Sequence, residues 1–229
     1  MKEILAAVLA SMHADIGRMD RIGMNIANAS TAGYKREVAG TLPFAARVEA
    51  ADGTGEARTA AAHLDLRAGT LKATGQSLDL AVAGNAWFEV ATEHGPAYTR
   101  RGDFRLDARA RLVTQQGLPV LGTSGEIQLP HGAPYVDANG QVFASAPSPG
   151  EHTPPLAQIK LLVFEVGTAM ERGADGLMLT RADGAAPREG AVQVQQGYLE
   201  NSNVSHMHEM VRLLGTMRHM ETLQKVALG

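Results

Sequence analysis

The 229 residues carry 21 basic against 24 acidic side chains, a net charge of −3, with no cysteine and only 4% aromatic residues. So balanced a charge lays down no electrostatic footprint for nucleic acid or an acidic membrane surface. The missing thiols exclude disulfides, cysteine-type zinc sites and thiol catalysis, and no run approaches the ~20 apolar residues of a membrane span.

The first element is a helix over residues 4–27. Leu5, Val8, Met12, Asp15, Met19, Ile22 and Ile26 recur at alternating steps of three and four, a coiled-coil seam with one polar member, Asp15. It stops in Asn28-Ala29-Ser30-Thr31-Ala32-Gly33, where turn formers and a glycine end the helical pattern. Met1-Lys2-Glu3 before an apolar run has the outline of a secretory signal. Glu3 weakens its basic end, however, and the seam runs on through any cleavage point, so the N-terminus is expected to stay uncleaved.

Residues 36–63 have little period and read as irregular connection, with at most a short strand at 45–48 and a turn at 52–55. From Leu64 the texture becomes short strands and turns. Gly69-Thr70-Leu71 reads as a turn, and strands are expected at 78–82, 87–91, 98–99, 104–106, 112–114, 119–121, 127–129 and 141–144. Pro147-Ser148-Pro149-Gly150 punctuates the chain, residues 159–166 read as a fully buried strand, and 177–180 and 192–195 complete the set.

The last element is again helical. Val204, Met207, Met210, Val211, Leu214, Met217 and Met220 form a broad apolar stripe, with Ser202 or Asn203 as N-cap. Eight of the ten methionines lie in the two terminal segments, where a flexible thioether suits surfaces that must adapt. The two stripes are expected to pair, with part of each left for other copies of the chain. The fold class is α+β: N- and C-terminal helices (1–35 and 200–229) paired as a coiled-coil stalk, with an inserted, mainly antiparallel or irregular β domain over 36–199.

Candidate chemistry is thin. His206 and His208 stand two apart, about 200° around a helix, and Arg212 occupies the position where a second helical zinc ligand would follow His208. Asp52-Gly53-Thr54-Gly55 lacks the order of a protease triplet and the strand and helix of a dinucleotide loop. Arg100, Arg101, Arg105, Arg109 and Arg111 are diluted by Asp103 and Asp107, so they read as a solvated face or as ion-pair partners of a neighbouring subunit. No catalytic residue, metal, cofactor, nucleic acid or small-molecule substrate is expected.

Asn28-Ala29-Ser30-Thr31-Ala32-Gly33-Tyr34-Lys35 resembles the asparagine-rich signature that ends the N-terminal helix of flagellar rod and hook proteins. Gln196-Gly197-Tyr198-Leu199-Glu200-Asn201-Ser202-Asn203-Val204 is similar to the same family's C-terminal signature. Thr74–Phe88 and Tyr98–Phe104 resemble its central blocks, in the right order. The resemblance implies a structural subunit of the basal-body rod, proximal rather than distal, exported through the flagellar type III apparatus and built against copies of itself and neighbouring rod and hook subunits. It implies subunit contact through Leu5, Val8, Met12, Met19, Ile22, Ile26, Met207, Met210, Val211, Leu214 and Met217. A hinge would be formed by Asn28, Thr31, Gly33, Tyr34, Gln196, Gly197, Tyr198, Asn201 and Asn203. Arg109-Ala110 departs from the Asp-Gly-type turn expected there, which leaves that hairpin open. Two other roles remain compatible with such a scaffold: an assembly chaperone or cap, and a cell-wall hydrolase.

Overall fold

A computed structural model describes residues 2–40, 62–130, 134–146, 153–164, 170–173, 176–180, 188–190 and 192–228; side chains at 2–6, 189, 227 and 228 are outside the description. The expected strand at 45–48, the turns at 52–55 and 147–150 and the end of the 159–166 run lie outside the described residues. The chain divides into two compact units. One comprises Met1–Ala29, Lys35–Asp65 and Val204–Gly229; the other comprises Ser30–Tyr34 and Leu66–Asn203.

The first unit is a helix pair with a small ribbon. Helix α1 spans Lys2–Ala27, about 39 Å at 1.5 Å per residue. It ends where Asn28 donates to the Met24 carbonyl from both its backbone N (3.2 Å) and its side-chain Nδ2 (2.9 Å), so an orphan C-terminal acceptor is satisfied locally. Helix α2 spans His206–Leu228. Its N-cap is Ser205, one turn later than Ser202 or Asn203: the Ser205 carbonyl accepts from Glu209 N at 3.0 Å, and its hydroxyl lies 2.8 Å from His208 Nδ1. Glu37–Val38 pairs antiparallel with His63–Leu64 beside α1.

The helices run antiparallel, since Asn25 meets Glu209 and Asp15 meets His219. In α1 the inward face is the one the periodicity predicts, with Val8, Asp15 and Ile22 buried and Met12, Met19 and Ile26 half-buried. In α2 it is not. The inward positions are Glu209, Leu213, Thr216, Met220 and Leu223, a four-three-four-three seam with two polar members fully buried. Polar anchors set this rotation. Asn25 accepts from Glu37 N at 3.0 Å and donates to Glu37 O at 2.9 Å, and Arg36 Nε lies 2.8 Å from the Glu209 carboxylate. An unpaired Glu209 facing an apolar stripe would cost more than leaving methionines wet.

The second unit is built from short antiparallel strands. Its largest sheet has six, in the order Met170–Arg172, Met178–Thr180, Gly95–Thr99, Ala86–Thr92, Leu161–Val163 and Arg188–Glu189. Alternation along Ala86–Thr92 explains the burial of both faces. Ala86, Phe88 and Val90 enter the main core with Leu80, Phe104 and Ile159. Trp87 and Glu89 face the other way, where Phe164 packs edge-to-face on Trp87 and on Tyr98. Glu89, buried there, is neutralised by Lys160 at 2.8 Å.

Several expected strands shrink to two or three paired residues, as at Leu161–Val163. Leu71, read as the last residue of a turn with Gly69 and Thr70, instead opens the strand Leu71–Ala73, which pairs with Tyr198–Glu200. The hairpin at 105–113 does form. Asp107 Oδ1 accepts from the backbone N of Arg109 and of Arg111, both at 2.8 Å, and this holds Ala110 at φ 59° without a glycine.

Candidate assembly interface

Rotation of α2 by its polar anchors leaves its oily side outward. Within its own unit Met207 is 78% exposed, Val211 69% and Leu214 55%, with Met210 and Met217 also exposed. These five share one face, opposite the seam of Glu209 and Thr216. Helix α1 adds exposed Leu9, Ile16 and Met24, which the seam reading passes over because they lie beside the heptad positions. The expected contact residues therefore divide. Val8, Met12, Met19, Ile22 and Ile26 lie on the α1 face turned toward α2, whereas all five from α2 are open. The side chain of Leu5 lies outside the described residues.

The signature residues do a different job. Within the second unit, Gly33 N donates to Glu200 O at 2.7 Å, and Gly33 has φ +65°. A Cβ there would come within 2.5 Å of the Arg100 backbone, so the close approach needs glycine on both counts. The C=O of Thr31 accepts from Tyr34 N, and Tyr34 is buried under the Arg172 guanidinium at 4.2 Å. The amide of Gln196 is fully used: Nε2 donates to Ser77 O and Pro134 O, both at 2.7 Å, and Oε1 accepts from Val136 N at 3.2 Å. Gly197 (φ +78°) donates to Asp79 O and accepts from Thr74 N and Gly75 N. Asn201 Nδ2 reaches Thr70 Oγ1 at 2.9 Å, and Asn203 Nδ2 reaches Arg67 O at 3.0 Å. Tyr198 is partly exposed on the ribbon with Leu71–Ala73.

At the centre of this knot is an ion pair that sequence reading assigned elsewhere. Arg100, expected on a solvated face, is 3% exposed, and Glu200 is 1% exposed. Arg100 Nε and Nη2 meet Glu200 Oε2 at 2.7 and 2.6 Å, Nη1 donates to Ala86 O, and the guanidinium lies against the Trp87 ring. The second Glu200 oxygen, Oε1, accepts from Gly69 N at 2.8 Å. Burial pulls the Arg100 guanidinium below its ordinary pKa, and the Glu200 carboxylate pulls it back up. Of the other arginines, Arg101 pairs with Asp103 at 2.9 Å and Arg111 with Asp107 at 2.8 Å and Glu126 at 3.0 Å, while Arg105 and Arg109 are exposed.

His206 and His208 are exposed, and His208 serves the α2 cap. Among the described residues no three His, Asp or Glu side chains gather where they would hold a metal ion. No described helix is long and apolar enough to cross a membrane.

Comparison with known proteins decides the family. The flagellar hook protein FlgE/F/G D1 domain matches residues 81–144, and the flagellar basal body rod FlgEFG protein C-terminal domain matches residues 195–227. The flagellar basal-body rod protein FlgF of Mesorhizobium japonicum is 31% identical over 96% of this chain and 90% of its own length. FlgF of Escherichia coli is 32% identical over 88% of this chain and 83% of its own.

The chain belongs to the flagellar basal-body rod protein family.

FlgG of Buchnera aphidicola from Acyrthosiphon pisum is 30% identical over 90% of this chain and 87% of its own length, so both rod subtypes are represented among the relatives. The rod-family C-terminal match begins at Gln195, inside the knot, and runs through the exposed stripe of α2. The chain is thus a structural rod subunit, and that family segment holds both Glu200 of the knot and the exposed stripe of α2.

Proposed function

We propose that this subunit is built into the basal-body rod by burying the outward stripe of α2, with Leu9, Ile16 and Met24 of α1, against neighbouring subunits. The observation that carries the reading is the orientation of Met207, Met210, Val211, Leu214 and Met217 away from their own helix partner. Each such side chain yields about 1.5–3 kcal/mol on full burial, and five in one contact outweigh much of the cost of association. A contact between unlike faces that does not close into a ring repeats as a helical filament. Torque would then pass along the shaft through many equivalent lateral contacts, around the export channel.

The same reading assigns the chain to the proximal rod, on its short central region and its match to FlgF relatives over most of their length. It takes type III export of an uncleaved chain as the route to the basal body, and rod and hook subunits as partners. The terminal helices are proposed as the subunit-contact region, with Asn28, Thr31, Gly33, Tyr34, Gln196, Gly197, Tyr198, Asn201 and Asn203 as the hinge. No catalysis enters this account.

The test is Leu214→Asp. A carboxylate in the stripe costs about 3 kcal/mol or more per buried contact while leaving the isolated chain's exposed surface undisturbed. Incorporation into basal bodies and swimming should both be lost, with circular dichroism of the purified variant unchanged. Normal motility in that strain would remove the basis of the reading.

A further inference from the structure

Beside the apolar stripe, the first unit holds a cleft of about 380 Å³, lined among others by Arg18, Arg21, Asn25, Glu37, Arg212 and Gly215. Its charges are not matched. Arg18 is engaged by Asp15 at 2.9 Å, and Glu209, also in the lining, is engaged by Arg36 at 2.8 Å. Arg212 lies only loosely near Glu209, at 3.6 Å, and is half exposed. Arg21 makes no hydrogen bond or ion pair among the described residues, and its Nε is shielded from solvent with no acceptor in reach. Dehydrating a guanidinium N–H without an acceptor is costly, and a planar carboxylate is the group its fork matches best. Gly215, mid-helix with no heavy atom within 4 Å of where a Cβ would stand, keeps one wall open.

We infer that this cleft receives a carboxylate from a second copy of the chain, at Arg21 and Arg212. Two observations select that occupant. Arg212 and Gly215 of the cleft wall stand next to Val211 and Leu214 along α2, so the cleft runs up to one edge of the stripe. The helix pair carries, in Asp20 and Glu221, exposed carboxylates that make no hydrogen bond or ion pair among the described residues. This inference rests on the proposed assembly through the stripe and adds the polar element that sets its register.

Sedimentation of the purified full chain against concentration tests it by charge exchange. Arg21→Gln should weaken self-association about tenfold, as expected for a close interfacial charge pair. Arg21→Glu should weaken it further, with helix content unchanged by circular dichroism. Glu221→Arg or Asp20→Arg, combined with Arg21→Glu, should recover it. Wild-type association in Arg21→Gln and Arg21→Glu, or failure of both exchanges to recover assembly, overturns the cleft as a carboxylate site. Loss in Leu214→Asp alone would leave the stripe reading standing, whereas a wild-type chain that stays monomeric at every concentration overturns both.

Discussion

Removing the Glu200 carboxylate leaves the Arg100 guanidinium buried beside Trp87 with only the Ala86 carbonyl as acceptor, and strips Gly69 N of its partner. An uncompensated buried charge of this kind costs about 3–5 kcal/mol, so Glu200→Ala should lower the urea midpoint of unfolding sharply. Ala110 works in the opposite direction. Held at φ 59°, it carries strain that glycine does not, and Ala110→Gly should raise stability by about 0.5–1 kcal/mol despite the added chain entropy. Tyr98 supplies a pH dependence. Its phenol is held above its ordinary pKa of 10.0, by burial first and by the Glu89 carboxylate second. The folded protein therefore binds that proton more tightly than the unfolded chain. The contribution is intact below pH 10 and drains away as pH rises through the folded value. Tyr98→Phe should flatten the alkaline limb of a stability-versus-pH curve, while an unchanged limb would assign it to other groups. At this scale Gly33 was legible as a turn glycine, because φ > 0 restricts residue type, whereas the amides of the signatures stood out only through the family resemblance. Arg100 was not, since nothing in a row of arginines marks which one turns inward.

At the scale of elements, both helices were legible in existence and kind, although α2 begins later than its expected caps, and the α1 seam was right at Val8, Asp15 and Ile22. The α2 seam was misread for a physical reason. Periodicity follows apolar side chains, while the rotation of α2 is set by Glu209 and His219 against Asn25, Arg36 and Asp15. Short strands such as Leu71–Ala73 stayed hidden because each is fixed by a partner more than a hundred residues away. Gly23 and Gly215 lie inside helices with open space where a Cβ would stand. Gly→Ala at either position should therefore raise the thermal midpoint of the helical unit, by about 0.5–1 kcal/mol of helix propensity. If Gly215→Ala also weakens assembly, the open wall of the cleft serves a contact rather than the fold.

At the scale of the whole molecule, the five apolar side chains that α2 keeps outward are the surface the proposed assembly would bury. The rod-family matches place the chain among proteins named for such a shaft. The central claim is that the outward face of α2 is covered by neighbouring subunits in the assembled rod. Its most direct test puts a photo-activated cross-linking amino acid at position 214, in cells that assemble basal bodies, and sizes the products in the purified particles. Covering predicts adducts at the mass of two or more subunits, absent before assembly. A residue 214 that reacts only with its own chain or with water in intact basal bodies would contradict it.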